Sequence, residues 1–268
     1  MKKESISIKN RSFLVLILSL VLTTYHTDAQ VDVVYNDLVW SDEFDTNGAI
    51  NSTKWHHQTQ LPNGGSWFNG EVQHYTNLIT NSFVNNGFLN IVAKKETYTN
   101  QGVTKQYTSA RLNSKFAFTY GRVDIRAKIP TNQGTWPAIW MLSTENQFGP
   151  WPSSGEIDIM EHVGRDLNKV ISAFHYPVYF GGNAKVATTI VPNATTEFHV
   201  YKLEWTPAAM QIFVDDKLFH TLPNSPSIPY NQNFFMILNI AMGGTLGGPI
   251  DPSFTSTTFE IDYVRVYQ

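Results

Sequence analysis

Three carboxylate side chains lie within six residues, in the segment EIDIME at positions 156–161. Ile157 and Ile159 alternate with Glu156 and Asp158, which is the pattern of a β-strand with one buried face. Burying the isoleucines turns the two acids together to the opposite face. Paired carboxylates on one face indicate acid–base or nucleophilic chemistry on a bound substrate.

The third acid, Glu161, would point into the core if the alternation were strict, and an unpaired buried carboxylate is costly. One extra residue at Met160, forming a β-bulge, returns Glu161 to the face of the other two acids. The Cα atoms of Glu156 and Glu161 would lie roughly 13 Å apart. Converging side chains would bring the carboxyls to about 5–6 Å, close to the spacing in retaining glycosidases. The residues alone also allow an edge strand with three solvated acids, although like charges on one strand face repel.

Length and composition limit the classes of protein to which this chain can belong. The chain has 268 residues, a formal net charge of −3 and no cysteine. The N-terminal segment predicts a secretory signal peptide at 1–29, cut after Ala29. It has Lys2 and Lys3 near its start, a short apolar run at 13–22 and small residues before the cleavage site. An uncleaved anchor is the alternative. The near-neutral charge argues against nucleic acid as a partner. We expect a secreted monomer, extracellular or periplasmic, that leaves the membrane after cleavage.

The elements that must position the acids are strands. Period-2 patterns recur along the chain, most clearly at 122–129, and Asp215-Asp216 between two apolar runs predicts a hairpin turn. No linker or repeat divides the chain after residue 30. Many short strands with long loops predict an all-β protein, a two-sheet antiparallel β-sandwich with a concave substrate cleft. We therefore expect residues 30–268 to form one catalytic β-sandwich domain.

Several other residues have types suited to a sugar cleft. Trp136 and Trp140 share a strand face, and flat aromatic rings suit the apolar faces of pyranoses. Asn69 can bond sugar hydroxyls and Arg111 can make fork hydrogen bonds, although a turn residue and a surface ion pair explain them equally well. His175 is either a hydrogen-bonded core residue or a cleft residue. No zinc-type histidine spacing, serine-hydrolase elbow or phosphate loop is found in the sequence.

The acid segment resembles the active-site strand of glycoside hydrolase family 16, and more narrowly that of bacterial laminarinases. The resemblance covers almost the whole chain after residue 30, and its blocks occur in the family's order. The matching blocks are WSDEFD at 40–45, NGEVQHY at 69–75, YTSAR at 107–111, WPAIWM at 136–141, WP at 151–152, NIAMGG at 239–244 and DYVRVY at 262–267. Phe68 and Gly70 depart from the family's usual glycine and asparagine.

The resemblance implies a jelly-roll sandwich of concanavalin A-like type with a β-1,3-glucan lying across its concave sheet. It assigns Glu156 as nucleophile, Glu161 as acid/base and Asp158 as the assisting acid. It also implies that five residues line the substrate subsites. These are Asn69, Arg111, Trp136, Trp140 and His175.

The resemblance implies no catalytic cofactor but a structural calcium. Its ligands would be the carbonyl oxygens of Glu43 and Gly87 and both a side-chain and a backbone oxygen of Asp262, a donor set that suits a hard cation. The expected activity is hydrolysis of laminarin-type glucans by double displacement. Agarose, carrageenan and mixed-linkage β-glucan remain alternative substrates. A lectin-like β-glucan-binding module without catalysis is the alternative from another class, since fold does not fix function.

Overall fold

The computed structural model describes residues 33–62 and 65–268. The predicted signal peptide lies outside the described residues, and the export that it implies stays a prediction. In the described residues the regular secondary structure is almost all strand, as predicted, with two 3₁₀ turns and one four-residue α-helix, α1 (Gly244–Gly247). None of the helices in this part of the chain has the length and apolarity to cross a membrane.

Seventeen strands are formed by the described residues. They are β1 (Leu38–Asp42), β2 (Trp55–His57), β3 (Gln73–Tyr75), β4 (Ser82–Asn85), β5 (Phe88–Asn100), β6 (Val103–Ser109), β7 (Arg111–Phe118), β8 (Gly121–Lys128), β9 (Thr135–Ser143), β10 (Glu156–Glu161), β11 (Lys169–His175), β12 (Lys185–Ile190), β13 (His199–Trp205), β14 (Ala209–Val214), β15 (Lys217–Pro223), β16 (Phe234–Met242) and β17 (Ser256–Tyr267).

The strands form two sheets. The ten-stranded sheet runs β15-β14-β13-β8-β17-β5-β6-β3, with β1 paired to β17 and β4 paired to β5. The seven-stranded sheet runs β12-β11-β10-β9-β16-β7-β2. All pairings are antiparallel except that of β3 with β6, which is parallel. The acid segment therefore occupies β10, in the interior of the seven-stranded sheet, and the reading of it as an edge strand is wrong.

Alternating patterns define which side chains enter the core between the sheets. In β8, Val123, Ile125 and Ala127 are completely buried, while the charged residues between them are partly exposed. In β10, Ile157 and Ile159 join the same core cluster. The predicted turn at Asp215-Asp216 connects β14 to β15, and both residues have positive φ, as a two-residue hairpin turn requires.

The opposite face of the seven-stranded sheet, here called the open face, carries the candidate site. Directly paired residues on adjacent antiparallel strands share a face. Glu161 pairs with Ala138 of β9, Ala138 with Asn239 of β16, and Asn239 with Arg111 of β7. One row of side chains thus runs across four strands from the acid segment to Arg111.

Candidate active site

A β-bulge in β10 brings all three acids to the open face. Against β9, Asp158 pairs with Trp140, and the register then skips one residue before Met160 pairs with Ile139. The skip lets both Ile159 and Met160 enter the core, where each is fully buried. Glu161 consequently returns to the face of Glu156 and Asp158. The bulge predicted from the sequence is confirmed.

Glu156 begins β10 and is held from two directions. The indole Nε1 of Trp151 donates a hydrogen bond of 2.6 Å to Glu156 Oε2. On the core side, the Tyr230 hydroxyl lies 3.1 Å from the carbonyl oxygen of Glu156 and 2.9 Å from that of His175. The preceding Gly155 has a φ of +81°, and a Cβ there would lie 3.0 Å from the Tyr230 ring. Only glycine fits this position without strain, so Gly155 sets how Glu156 enters the strand.

Glu161 has an indole donor of its own. Trp136 Nε1 donates a hydrogen bond of 2.8 Å to Glu161 Oε1. Trp136 lies on β9, two residues from Ala138, the strand partner of Glu161. Glu161 is only 9% exposed, so its carboxyl is almost fully shielded from solvent and is held by one hydrogen bond.

Asp158 lies between the two glutamates and is 3% exposed. Its Oδ2 lies 3.1 Å from Nε2 of His175, the strand partner of Glu156. Ligand atoms of Glu156, Asp158 and His175 lie within 4.8 Å of one another, a spacing compatible with a metal ion. However, the Gly181 N–H donates to His175 Nδ1, so Nε2 carries the ring proton and is not free to ligate a cation.

Burial raises the pKa of all three acids, because each loses hydration of its charged form. The pKa of Glu161 rises to about 7 through burial, with a smaller contribution from Glu156 and a hydrogen bond from Trp136 acting against it. The pKa of Glu156 rises to about 8 through burial and then through repulsion by Asp158. The pKa of Asp158 is raised well above its usual range, mainly through burial and then through repulsion by Glu161. Repulsion between Glu156 and Glu161 is secondary to burial.

Beyond Glu161, the row across the open face ends in an arginine stacked on tryptophan. The guanidinium of Arg111 lies 4.6 Å from the ring centroid of Trp140 and 5.6 Å from that of Trp67. Trp140 Nε1 donates a hydrogen bond of 2.7 Å to Asn239 Oδ1. Arg111 therefore belongs to a stacked platform, and the surface ion pair considered for it is absent from the described residues.

Asn69 lies in a short turn at one end of this platform. It has a φ of +60° within the 3₁₀ turn Phe68–Gly70, and its side chain is exposed. The turn abuts α1, because a Cβ on Gly244 would lie 2.9 Å from the Asn69 carbonyl oxygen. Phe68 is 66% exposed. The structure thus leaves the Asn69 amide and the Phe68 ring open to solvent.

A buried acid supports the platform from behind. Glu71 accepts hydrogen bonds at Oε2 from Gln73 Nε2 (2.8 Å) and from the Tyr75 hydroxyl (3.2 Å). The Tyr75 hydroxyl in turn accepts from Asn239 Nδ2 at 2.9 Å. Because Asn239 also accepts from the Trp140 indole, the chain of hydrogen bonds leads from Glu71 to the platform. This geometry indicates that Glu71 is a structural acid.

The residues predicted to hold calcium lie on the other sheet. Glu43 follows β1, Gly87 precedes β5, and Asp262 lies in β17, at a register irregularity against β8. Since β17 pairs with both β1 and β5, all three positions lie around one segment of β17. The Asp262 carboxylate already accepts a hydrogen bond of 2.5 Å from Arg126. The positions fit the predicted set, but its one carboxylate has a competing partner.

Sequence reasoning did not single out three residues that contact the acids or the platform. Trp151 and Tyr230 contact Glu156, and Asn239 orients Trp140. Trp151 and Asn239 lie in blocks that carried the family resemblance, which was the available signal for them. For Tyr230 the sequence offers none.

Comparisons with known proteins agree with this geometry. The family described as glycosyl hydrolases family 16 matches residues 71–265. A β-glucanase of Rhodothermus marinus is 43% identical over 87% of this chain and 85% of its own length. The crystal structure of LamAcat from Zobellia galactanivorans is 53% identical, with a TM-score of 0.82, over 87% of this chain and 98% of that one. A LamA variant of the same organism, in complex with laminaritriose and laminaritetraose, is 51% identical with a TM-score of 0.83, over 88% of this chain and 100% of that one.

Proposed function

The chain belongs to glycosyl hydrolases family 16, and we propose that this glycoside hydrolase is an endo-β-1,3-glucanase that cuts laminarin-type glucans with retention of configuration. The observation that carries the proposal is the bulge in β10. It presents Glu156, Asp158 and Glu161 together on the open face, and each glutamate accepts a separate indole N–H. A sugar-binding module without catalysis has no need of this arrangement.

In the proposed reaction, Glu156 is the nucleophile. Its carboxylate attacks the anomeric carbon while Glu161 gives its proton to the departing glycosidic oxygen, and a glycosyl-enzyme results. Glu161 then takes a proton from a water molecule, which attacks the anomeric carbon and releases Glu156. Asp158 assists by hydrogen bonding to Glu156. A pKa of about 7 for Glu161 suits this double role, since the same group must be acid in one step and base in the next.

The reaction needs the charge on Glu156 and the proton on Glu161. The pKa of Glu156 is about 8 and that of Glu161 about 7. As the pH rises in the free enzyme, Glu161 therefore loses its proton before Glu156 does. The productive arrangement then lies about 1.4 kcal/mol above the favoured one, since one pKa unit corresponds to about that energy. This cost is small against a catalysed barrier, and it is smaller still where a protonated Asp158 donates a hydrogen bond to the charged Glu156.

The substrate assignment rests on the platform and on the relatives. Arg111 stacked on Trp140 offers a charged fork and a flat ring, Trp136 lies beside the acid, and the exposed amide of Asn69 faces solvent. These groups suit glucosyl units on one side of the acid pair, with His175 on the other. The complex of a similar chain with laminaritriose and laminaritetraose supports β-1,3-glucan over agarose, carrageenan or mixed-linkage glucan.

The experiment is digestion of a panel of polysaccharides: laminarin, curdlan, mixed-linkage glucan, agarose and carrageenan. We expect reducing sugar to be released fastest from laminarin, with oligosaccharides as early products. Proton NMR during the first turnovers should show the β-anomer of the new reducing end. An initially α product would refute retention, and preference for agarose or carrageenan would refute the substrate. Glu156→Gln and Glu161→Gln should each lose most turnover and keep the circular dichroism of the wild type.

Export and a calcium site complete the proposal. We expect the mature chain to begin near residue 30 and to act outside the cytoplasm as a monomer. Calcium would be held by Glu43, Gly87 and Asp262, where it supplies rigidity at β17 and takes no part in the chemistry. Because Arg126 competes for the Asp262 carboxylate, binding should be modest. A melting temperature that rises with calcium in the wild type but not in Asp262→Ala supports the site, whereas equal melting temperatures in calcium and in EGTA refute it.

A further inference from the structure

The Trp151 side chain reaches Glu156 from the loop between β9 and β10. Its Nε1 donates a hydrogen bond of 2.6 Å to Glu156 Oε2. The backbone of this loop is fixed by bonds of its own, such as the one of 2.9 Å from the Ser153 N–H to the Pro150 carbonyl oxygen. Trp151 is nonetheless 48% exposed. The backbone bonds therefore fix where the side chain begins, but they do not fix its rotation about χ1 and χ2.

Two neighbouring rings limit that rotation. The ring centroid of His175, on β11, lies 6.0 Å from that of Trp151, with the ring planes tilted by 42°. The Phe180 centroid lies 5.6 Å away, with the planes at 82°. An edge-to-face contact at this distance is a favoured arrangement of two aromatic rings. Within the described residues these two rings are the aromatic partners of Trp151, and Phe180 makes the better-oriented contact.

Phe180 is itself held by the loop between β11 and β12. The next residue, Gly181, donates its N–H to His175 Nδ1 at 3.1 Å, which ties the loop to the end of β11. The Phe180 carbonyl oxygen accepts a hydrogen bond of 3.0 Å from the Asn183 N–H. The Asn183 side chain donates to the Val178 carbonyl oxygen at 2.8 Å. The backbone on both sides of Phe180 is thus fixed, although the residue is 43% exposed.

We propose that Phe180 is a positioning residue for the reaction, because its ring holds the Trp151 indole where Nε1–H reaches Glu156. The inference rests on the proposed function, in which the charged Glu156 is the nucleophile. A donor at 2.6 Å favours that charge. Without the Phe180 ring, the half-exposed indole turns more freely and makes its hydrogen bond for only part of the time. Phe180 therefore acts on the nucleophile through Trp151.

Other titratable and charged groups also face Glu156 and keep their places when the Phe180 ring is removed. They are Asp158 and Glu161 on β10, His175 on β11, Arg111 on β7 and Tyr230 before β16. Burial and then repulsion by Asp158 raise the pKa of Glu156, while His175 and the Trp151 indole act against them. Of these influences the indole is the one that Phe180 contacts, so a change in the ionisation of Glu156 reports on that contact.

The first test is ¹H–¹⁵N NMR of the indole N–H groups in the full chain from residue 30, with Trp151 assigned by its absence in Trp151→Phe. We expect the Trp151 resonance to move with pH as Glu156 ionises. In Phe180→Ala this movement should shrink, and its midpoint should rise by about half a pH unit, the scale of one aromatic contact. Phe180→Tyr keeps a ring and should restore both. A wild-type midpoint and amplitude in Phe180→Ala overturns the proposal.

Phe148 provides a matched control. It lies in the same loop as Trp151 and is 44% exposed, close to the exposure of Phe180. It has no aromatic partner in the described part of the chain, whereas Phe180 packs on Trp151. Phe148→Ala should therefore leave the Trp151 resonance and the kinetics as in the wild type. An equal shift in this control would show that loss of any exposed ring disturbs the site, and the proposal would fall.

The second test is a double-mutant cycle in kinetics on laminarin. Phe180→Ala should lower kcat/KM about two- to fivefold at pH 7.5 and move the same limb of the pH profile as Trp151→Phe, in the same direction. In the Trp151→Phe background the same change should have little further effect, because the indole through which it acts is gone. Additive losses, or a rise in KM with an unmoved pH profile, would assign Phe180 to sugar contact and overturn the positioning role.

The two tests also distinguish this inference from the proposed function. If the wild-type protein leaves laminarin uncut, the proposed substrate is wrong, but the indole titration still decides whether Phe180 positions Trp151. The kinetic cycle is then repeated on whichever polysaccharide of the panel is cut. If laminarin is cut and the Trp151 resonance is the same in Phe180→Ala as in the wild type, the function stands and the positioning role falls.

Discussion

The indole donors of Trp151 and Trp136 provide a direct test of the charge order in the acid cluster. Trp151→Phe removes the N–H that lies 2.6 Å from Glu156, and Trp136→Phe removes the one that lies 2.8 Å from Glu161. A donor to a carboxylate favours its charged form, so each substitution raises the pKa of its own glutamate. Because each change keeps an aromatic ring in place, the two variants serve as controls for each other.

The size of the effect follows from the exposure of the indole. A hydrogen bond to a charged group contributes about 1.5–3 kcal/mol, and Trp151 is 48% exposed, so the lower end applies. That corresponds to about one pH unit in the pKa of Glu156. Starting from about 8 for Glu156 and about 7 for Glu161, roughly 6% of the free enzyme is in the productive form at pH 7.5. In Trp151→Phe this fraction falls about eightfold.

The assay is the pH dependence of kcat/KM, which reports the free enzyme. If Glu156 has the higher pKa, the profile rises to about pH 7 and falls above about pH 8. Trp151→Phe then lowers the maximum and moves the alkaline limb up, while the acidic limb stays in place. Trp136→Phe moves the acidic limb up and, through protonation alone, raises the productive fraction about threefold at pH 7.5.

The opposite order gives a different result. If Glu156 ionises well before Glu161, Trp151→Phe moves the acidic limb up and leaves the alkaline limb unchanged. That outcome would refute the reasoning from burial and would show that Asp158 and the indole lower the pKa of Glu156 more than burial raises it. An unchanged profile in Trp151→Phe would mean that the indole does not bond to Glu156 in solution.

Three further predictions concern the bulge, the platform and the core. Deletion of Met160 leaves Glu156, Asp158 and Glu161 in regular alternation, which keeps Glu161 on the open face opposite Ala138, so laminarin turnover should survive while the loss of a buried side chain costs about 2–5 kcal/mol in urea unfolding. Met160→Leu should cost less than about 1.5 kcal/mol, and a folded but inactive deletion variant would show that the bulge does more than set the face of Glu161. Trp140→Phe should raise KM about fivefold with little change in kcat, because it weakens the stacking with Arg111 by about 1 kcal/mol; an unchanged KM would remove Trp140 from the substrate platform. Tyr230→Phe should lower the free energy of unfolding by about 1–3 kcal/mol, because carbonyl oxygens of β10 and β11 lose a buried donor, and an unchanged urea midpoint would show that water replaces the hydroxyl.

Local pattern and the cost of burying charge were enough to predict the acid strand. The alternation of Ile157 and Ile159 with Glu156 fixed the face, and the cost of a core carboxylate at Glu161 required the bulge. Both inferences use only neighbours in sequence, which is why they hold. The sandwich followed in the same way from repeated strand patterns, although the parallel pairing of β3 with β6 left no mark in the sequence.

The contacts that set the pKa values of the acids could not be inferred from neighbours in sequence. Trp151 reaches Glu156 because the loop before β10 folds back, and Tyr230 reaches the same residue from 74 positions away. The degree of burial depends on these loops as well. That explains why the raised pKa values of the acids, which come mainly from burial, could not be derived from the sequence.

The asymmetry between the two glutamates centres on Asp158, which lies between them on β10. Each has a buried or partly buried carboxyl and one indole donor, so neither feature decides which is nucleophile and which is acid. What distinguishes them is Asp158, which hydrogen bonds to Glu156 and is separated from Glu161 by the bulge. His175 in turn contacts Asp158 and pairs with Glu156 across the strands. We therefore expect Asp158 to set the roles, and substitutions at Asp158 should alter the division of labour between the glutamates before they alter the fold.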